Sequence, residues 1–207
     1  GLGSGTSADL TVGAGSASQL VFTSAPVTAN TSVASSPITV ERRDAYGNPN
    51  TADAALTLTL SSTSGGTTSF SPASPQIAVG NSSVSFTYAD SQAGTPTVTA
   101  HSGTLTDATQ QETVVTPSSQ TVSEPGNLLP EGGTPLLPGD SLVFSGGSSA
   151  VAVNNNYEPY TLFGGITFAS SASAFTLAGN PLALSGNIID SATTLQTILT
   201  DLELTTE

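Results

Sequence analysis

The 207-residue chain has no cysteine, methionine, tryptophan or lysine. Without cysteine there is no disulfide framework, no thiolate nucleophile and no Cys-ligated zinc. Without lysine there is no Schiff-base chemistry and no Lys–Asn isopeptide crosslink. Arg42 and Arg43 are the only formal cations, against 15 acids, for a net charge of −13. Nucleic-acid binding needs Lys and Arg to neutralise phosphates, and a basic membrane-surface helix needs them too. Neither is compatible with two adjacent arginines. One histidine, His101, cannot build a multi-His metal site. No apolar run approaches the ~18 residues of a membrane span, so no membrane insertion is expected.

What remains is hydroxylic. The chain carries 31 Ser and 32 Thr, and only 8% of its residues are charged, against a typical ~25%. This acidic, cysteine-free, Ser/Thr/Gly/Ala-rich composition is that of a secreted or bacterial cell-surface structural protein, and an extracellular location is expected.

Pro and Gly divide the chain. Residues 117–139 hold Pro117, Pro125, Pro130, Pro135 and Pro138, a spacing that regular elements do not survive. This stretch is read as a linker, with Leu128, Leu129, Leu136 and Leu137 packed on a neighbour. Before it, short alternating runs predict antiparallel strands at Gln19–Thr23, Ile38–Arg43, Ala55–Leu60, Gln76–Val79, Ser83–Ala89, Thr95–Ala100 and Gln111–Thr116. Leu56, Leu58 and Leu60 should face one way, and Val84, Phe86 and Tyr88 should share a face. About seven such strands suggest an immunoglobulin-like β-sandwich over residues 17–116.

The run Val40-Glu41-Arg42-Arg43-Asp44-Ala45-Tyr46-Gly47-Asn48-Pro49 resembles the D-x-x-G-N-P signature of bacterial Ig-like domains of the invasin/intimin type. The resemblance implies a module that stacks in tandem on bacterial surfaces. Physically the motif reads as a turn: Asp44 caps it, Gly47 takes positive φ and Pro49 sets the exit. Residues 4–12 are similar to the stretch from Ser102 onward. Residues 1–16 are therefore expected to be the last strand of a preceding module, or a leader.

From residue 140 the pattern changes. Apolar triplets such as Leu142-Val143-Phe144, Ile166-Thr167-Phe168 and Leu182-Ala183-Leu184 alternate with Gly, Asn and Ser. A spacing of 22 relates Phe144, Ile166 and Ile188, and also Leu162 to Leu184, Leu177 to Leu199 and Leu182 to Leu204. Short strands at a fixed period mean a parallel β-solenoid, here of about three coils over residues 140–207, the last incomplete. The phrases SLVFSGG and TLFGGITFASSASAFTLAGNPLALSGNIIDSATTLQTI are similar to autotransporter-associated beta-strand repeats. That resemblance implies a right-handed parallel β-helix in a secreted bacterial passenger. The expected fold class is thus all-β, a sandwich followed by a solenoid.

Candidate chemistry is sparse. His101 could act as a base, but no G-x-S-x-G elbow accompanies it. The solenoid segment has no Lys, Arg or His to serve a polysaccharide lyase. Calcium needs only oxygen ligands, and Asp44, Asp53, Asp90 and Asp107 fall at loops. Tyr157 and Tyr160 follow Asn154-Asn155-Asn156 in a polar-aromatic loop that could stack on a partner; the Asn residues alone read as a corner ladder or left-handed turns. Asn30-Thr31-Ser32 and Asn81-Ser82-Ser83 fit the glycosylation sequon. No catalytic or cofactor-binding residue is assigned.

The reading is a non-enzymatic extracellular structural segment of a large bacterial surface protein or fibre. Its expected partners are other copies of itself or flanking modules. An adhesin module binding a glycan or a cell-surface receptor is the first alternative, and a polysaccharide-degrading β-helix enzyme the second.

Overall fold

A computed structural model describes residues 13–128, 136–147 and 149–205. The described residues form twenty-two strands and no helix.

The first half contains β1 (Gln19–Phe22), β2 (Thr28–Asn30), β3 (Ile38–Arg43), β4 (Leu56–Thr57), β5 (Thr59–Ser62), β6 (Thr68–Ser71), β7 (Gln76–Ile77), β8 (Ser83–Asp90), β9 (Thr97–His101), β10 (Ala108–Gln111) and β11 (Thr113–Val115). β1-β3-β8-β6 and β10-β9-β5 are antiparallel sheets. Leu20, Ile38, Val40, Phe86, Tyr88, Val98 and Ala100 from the two sheets share one core. Phe70 packs edge-on to Phe86, with ring centroids 5.8 Å apart. The alternation seen in the sequence accounts for this: Ile38, Val40 and Arg42 of β3 are buried while Thr39, Glu41 and Arg43 are half-buried.

Two expected strands divide. Ala55–Leu60 becomes β4, paired with β7, and β5, paired with β9, although Leu58 still points into the core. Gln111–Thr116 is interrupted at Glu112, where the chain leaves β9 and pairs in parallel with β2. β2, β6 and all of β10 but Gln111 fall outside the expected strands, because each carries a single apolar residue. Residues 1–12, expected to be a strand of a preceding module, lie outside the described residues; residues 13–18 are not strand.

The second half contains β12 (Ser119–Val122), β13 (Gly126–Asn127), β14 (Ser141–Phe144), β15 (Val151–Asn155), β16 (Thr161–Phe163), β17 (Gly165–Phe168), β18 (Phe175–Gly179), β19 (Leu182–Leu184), β20 (Ile188–Asp190), β21 (Thr197–Ile198) and β22 (Leu202–Leu204). They form three parallel sheets, β12-β14-β17-β20, β13-β15-β18-β21 and β16-β19-β22. This is a parallel β-solenoid of about four turns. Its first rung comes from the stretch expected to be a linker: β12 and β13 pair with β14 and β15. Prolines are tolerated there because they fall outside the two short strands.

The repeat is not constant. Ile166 pairs with Ile188, 22 residues on, as expected, but Phe144 pairs with Phe168, 24 residues on. Leu177 meets Ile198 rather than Leu199, Leu182 meets Leu202 and Leu184 meets Leu204. Leu162 meets Ala183. Corners of unequal length absorb the differences. Inside, Phe144 stacks on Phe168 with centroids 4.9 Å apart. At one corner Gly139, Gly164 and Gly186 stack so closely that a Cβ on Gly164 would meet the Gly139 carbonyl oxygen, and one on Gly186 the Gly164 oxygen.

Candidate functional site: two junction clusters

Two clusters of buried polar residues lie toward opposite ends of β8. Arg42 N–H bonds to Ser82 O before the strand starts, and Ser32 N–H bonds to Asp90 O at its end. Eight residues of strand separate them by roughly 25 Å.

The upstream cluster is built on the Asp44–Pro49 turn. The Asp44 Oδ1 accepts the N–H groups of Tyr46 and Asn48, both at 2.9 Å. Its Oδ2 accepts Gly15 N–H at 2.9 Å and Asn48 Nδ2 at 3.0 Å. The Asn48 side chain is the largest influence holding the Asp44 carboxyl down at about 2, aided by the N–H groups of Asn48, Gly15 and Tyr46 against the opposing effect of desolvation. Gly47 takes φ of 85°, as the turn requires. The incoming chain is held at further points: Asn50 Nδ2 donates to Gly15 O at 2.6 Å, Ala17 N–H to Asp53 Oδ2 at 2.9 Å, and Gln19 Nε2 to Asp44 O at 3.1 Å.

Behind the turn lies Arg42, only 1% exposed. Its guanidinium donates to the carbonyl oxygens of Asn50, Ala54, Asp53 and Asn81. A buried cation with no carboxylate partner among the described residues is offset here by four carbonyl dipoles, a geometry that suits the planar fork of Arg. Sequence reasoning assigned Arg42 no role. The signal was the alternation Ile38, Val40, Arg42, which puts it on the apolar face.

The downstream cluster joins the halves. Asn30 and Asp140 are 1% and 4% exposed. Asp140 Oδ1 accepts Asn30 Nδ2 at 2.9 Å and Ser118 N–H at 2.6 Å, and its Oδ2 accepts Leu137 N–H at 2.9 Å. Asn30 Nδ2 also reaches Pro138 O at 3.0 Å. Gly139, at φ of 93°, has no room for a side chain beside Val33.

The four aspartates considered for calcium do not converge. Asp44 and Asp53 receive the incoming chain. Asp90 is buried and accepts Tyr88 Oη at 2.7 Å and Gln92 N–H at 3.0 Å. Burial pushes its carboxyl up, but bonds from Tyr88, Ser64 and Gln92 outweigh this and hold it below the usual value. Burial in turn drives the Tyr88 phenol to about 12. Asp107 contacts His101 Nδ1 at 2.6 Å on the surface. Among the described residues no three His, Cys, Asp or Glu side chains gather as a metal cluster.

The polar-aromatic loop is corrected in part. Tyr157 is only 7% exposed. Its Oη accepts Leu136 N–H at 2.9 Å, and its ring packs edge-on to Phe163. It is a core residue and does not project toward a partner. Tyr160 is 54% exposed, with φ of 63°. Asn155 is buried and donates to Asn180 O, and Asn180 donates to Tyr157 O, which ties successive coils at that corner. Of the two sequons, Asn30 is buried and Asn81 exposed.

No family model and no curated protein matches the chain. Among solved structures it is similar to the S-layer protein SbsC domains 4 and 5, at 22% identity and a TM-score of 0.36, over 48% of this chain and 53% of that one. It is also similar to the surface layer protein SbsC domains 4–9, at 22% identity and a TM-score of 0.37, over 49% of this chain and 14% of that one. The chain thus spans about half, or less, of these neighbours. No helix among the described residues is long and apolar enough to cross a membrane.

Proposed function

We propose that this chain is a non-enzymatic structural element of an extracellular bacterial surface protein or fibre, in which an Ig-like module and a β-solenoid are held in a fixed relation. The observation that carries this reading is how the buried polar groups are used. Asp44 and Asn50 bond the backbone of the incoming chain at Gly15, and Asn30 and Asp140 that of the outgoing chain at Pro138 and Ser118, so they set direction, while Arg42 holds the loop behind the turn through the carbonyl oxygens of Asn50, Asp53, Ala54 and Asn81. The invasin-type turn and the autotransporter-like phrases support the same reading, with flanking modules or other copies as partners. Because the chain is cysteine-free, spin labels at two introduced cysteines, one in β9 and one in β18, report the relation of the halves. A narrow distance distribution that broadens in the Asn30→Ala/Asp140→Ala variant is expected. A broad distribution in the unaltered chain would refute the reading.

A second reading, an adhesin module for a glycan or receptor, is favoured by one observation. Tyr160 presents an exposed ring from a left-handed backbone position, a strained geometry that functional surfaces often retain. Glycan-array binding lost in Tyr160→Ala would support it.

A further inference from the structure

Glu112 is the residue at which the chain changes partners. β10 ends at Gln111 on β9, and β11 begins at Thr113 on β2. Its side chain is 0% exposed. Its Oε2 accepts Val27 N–H at 2.6 Å, while Thr113 N–H donates to Val27 O at 3.0 Å. Val27, just before β2, is thus gripped at both backbone groups, one of them by a titratable side chain. Among the described residues β2 pairs with no strand but β11. Both connections between the halves run through this seam. Three residues lead from β11 to β12, and Asn30 at the end of β2 bonds Pro138 and Asp140. The charged form of Glu112 has no counter-ion among the described residues. Arg43 pairs with Glu41, and the Arg42 guanidinium is taken up by carbonyls near the far end of β8. His101 lies at the other end of β9, against Asp107. What faces the carboxyl is the Gln110 side chain from β10 and, from β8, the Tyr88 phenol with Asp90 bonded to it. β2 and β11 carry no ionisable side chain. Moving a carboxylate from water into such a site without an opposite charge is costly. Desolvation accordingly outweighs the bonds from Val27 and Gln110 and raises the carboxyl above its ordinary 4.5.

We propose that Glu112 is a proton-operated latch on the β2–β11 seam: with its proton bound it holds the seam shut and the solenoid in a fixed relation to the first half, and its ionisation lets the seam open and the relation loosen. The inference deepens the structural reading above by supplying its regulation, and takes from it only the fixed relation of the halves. An open seam exposes the carboxyl to water, where it ionises at its ordinary value, whereas the closed seam keeps the proton to higher pH. The latch is therefore fully closed below pH 4.5 or so. It weakens as pH rises from there through the raised value and changes no further above it. Within that window each pH unit shifts the ratio of closed to open by up to about tenfold.

Amide exchange of the whole chain from pH 4.5 to pH 8, expressed as protection over the intrinsic rate at each pH, is the primary test. The reporters are Thr31 and Thr113, whose N–H groups bond Val115 O and Val27 O across the seam. Arg42 and Val151, bonded to Ser82 O and Ala174 O, are references in the two halves. Seam protection is expected to fall at least about threefold relative to the references as pH rises, which is half a pH unit of linkage. The midpoint of the fall follows the titration of the Glu112 carboxyl carbon, read by NMR in the unaltered chain. Glu112→Gln abolishes the fall and keeps the seam at its acid protection; this comparison also subtracts the titration of His101 and every other group. Spin labels in β9 and β18 give a distance distribution that widens from pH 4.5 to pH 8 in the otherwise unaltered chain and stays narrow in Glu112→Gln. Seam protection that tracks the references overturns the proposal. So does a fall that persists in Glu112→Gln, a midpoint away from the Glu112 titration, or a narrow distribution unchanged between the two pH values. A distribution broad at every pH refutes the structural reading instead, and seam exchange still decides the latch. Asn30→Ala/Asp140→Ala broadens the distribution but leaves the pH dependence of Thr113 in place, so the two failures give different results.

Discussion

Replacing Gly164 by alanine adds one methyl group at the solenoid corner. Built on the existing backbone, that Cβ meets the Gly139 carbonyl oxygen and comes within 2.9 Å of Ser141 Oγ. A contact with Ser141 Oγ is relieved by rotating the hydroxyl, but one with a carbonyl in the next coil is not. The coils must part locally by several tenths of an ångström. Three rung hydrogen bonds lie next to the contact: Gly164 N–H to Asp140 O at 2.8 Å, Gly139 N–H to Leu162 O at 2.7 Å, and Ser185 N–H to Phe163 O at 3.0 Å. Overpacking costs about 1–3 kcal/mol, and weakening one or two bonds adds about 1 kcal/mol each. The sum is roughly 2–5 kcal/mol. At about 2–4 °C per kcal/mol for a chain of this size, the melting temperature falls by roughly 4–20 °C. Gly164 does not have a positive φ, so the effect isolates packing from backbone strain. Gly13→Ala is the control, since its Cβ would meet nothing within 4 Å. Circular dichroism melts of both variants check this. A Gly164→Ala melt within 2 °C or so of the control would show that the coils separate freely there, and the close-stacking argument would fall.

Arg42→Met strips four carbonyls, one of them fully buried, of their donor and is expected to lower stability by about 2–3 kcal/mol, read as a shift in urea midpoint; Arg42→Lys recovers little, because an ammonium cannot span the four acceptors. The Asp44 carboxyl sits at about 2 in the folded chain against an ordinary 3.8. Its contribution to stability is therefore present above pH 4 or so and is lost as pH falls toward 2. Asp44→Asn should lower neutral-pH stability and flatten that part of the acid-unfolding curve. Glu112 is fully buried, with its Oε2 accepting Val27 N–H at 2.6 Å. Desolvation pushes its carboxyl above the ordinary 4.5, so the proton is bound more tightly when folded. The native chain then gains stability as pH falls from neutral through the raised value. Glu112→Gln should stabilise at pH 7, with the advantage shrinking toward pH 4.5, which urea titrations at the two pH values would show.

Much of the first half was legible because burial there is alternating. The bounds of β3 follow directly from Ile38, Val40 and the turn at Asp44. What escaped was every element with too few apolar residues to signal itself: β2, β6, most of β10, and the short β12 and β13 beside Val122 and Leu128. The solenoid was readable as a repeat, with the register right between Ile166 and Ile188 but not at Phe144, Leu162, Leu177 or Leu182, because β-strands fix only the stacked positions and the corners vary. Of the junctions, the Asp44 turn had a local motif. The Asn30–Asp140 contact links residues 110 apart, and nothing in either neighbourhood announces it. Tyr157 looked exposed because it follows three asparagines, yet its ring fills the interior beside Phe163.

The two halves also differ in how far their pairings reach along the chain. β2 and β11 pair across 85 residues, whereas solenoid strands meet partners 20 to 27 residues away. Closing the longer loop has a larger entropic cost, though the cost grows only with the logarithm of length; the greater effect is on cooperativity and speed. The first half has to form as a whole, with its last strand returning to its second. The solenoid adds one coil at a time, each stabilised by the coil before it. Folding of this chain is therefore expected to run as a global closure followed by a directional zipper away from the junction. Hydrogen exchange should rank protection by distance from Asp140, with the amides of β20 to β22 opening first and those of β14 last.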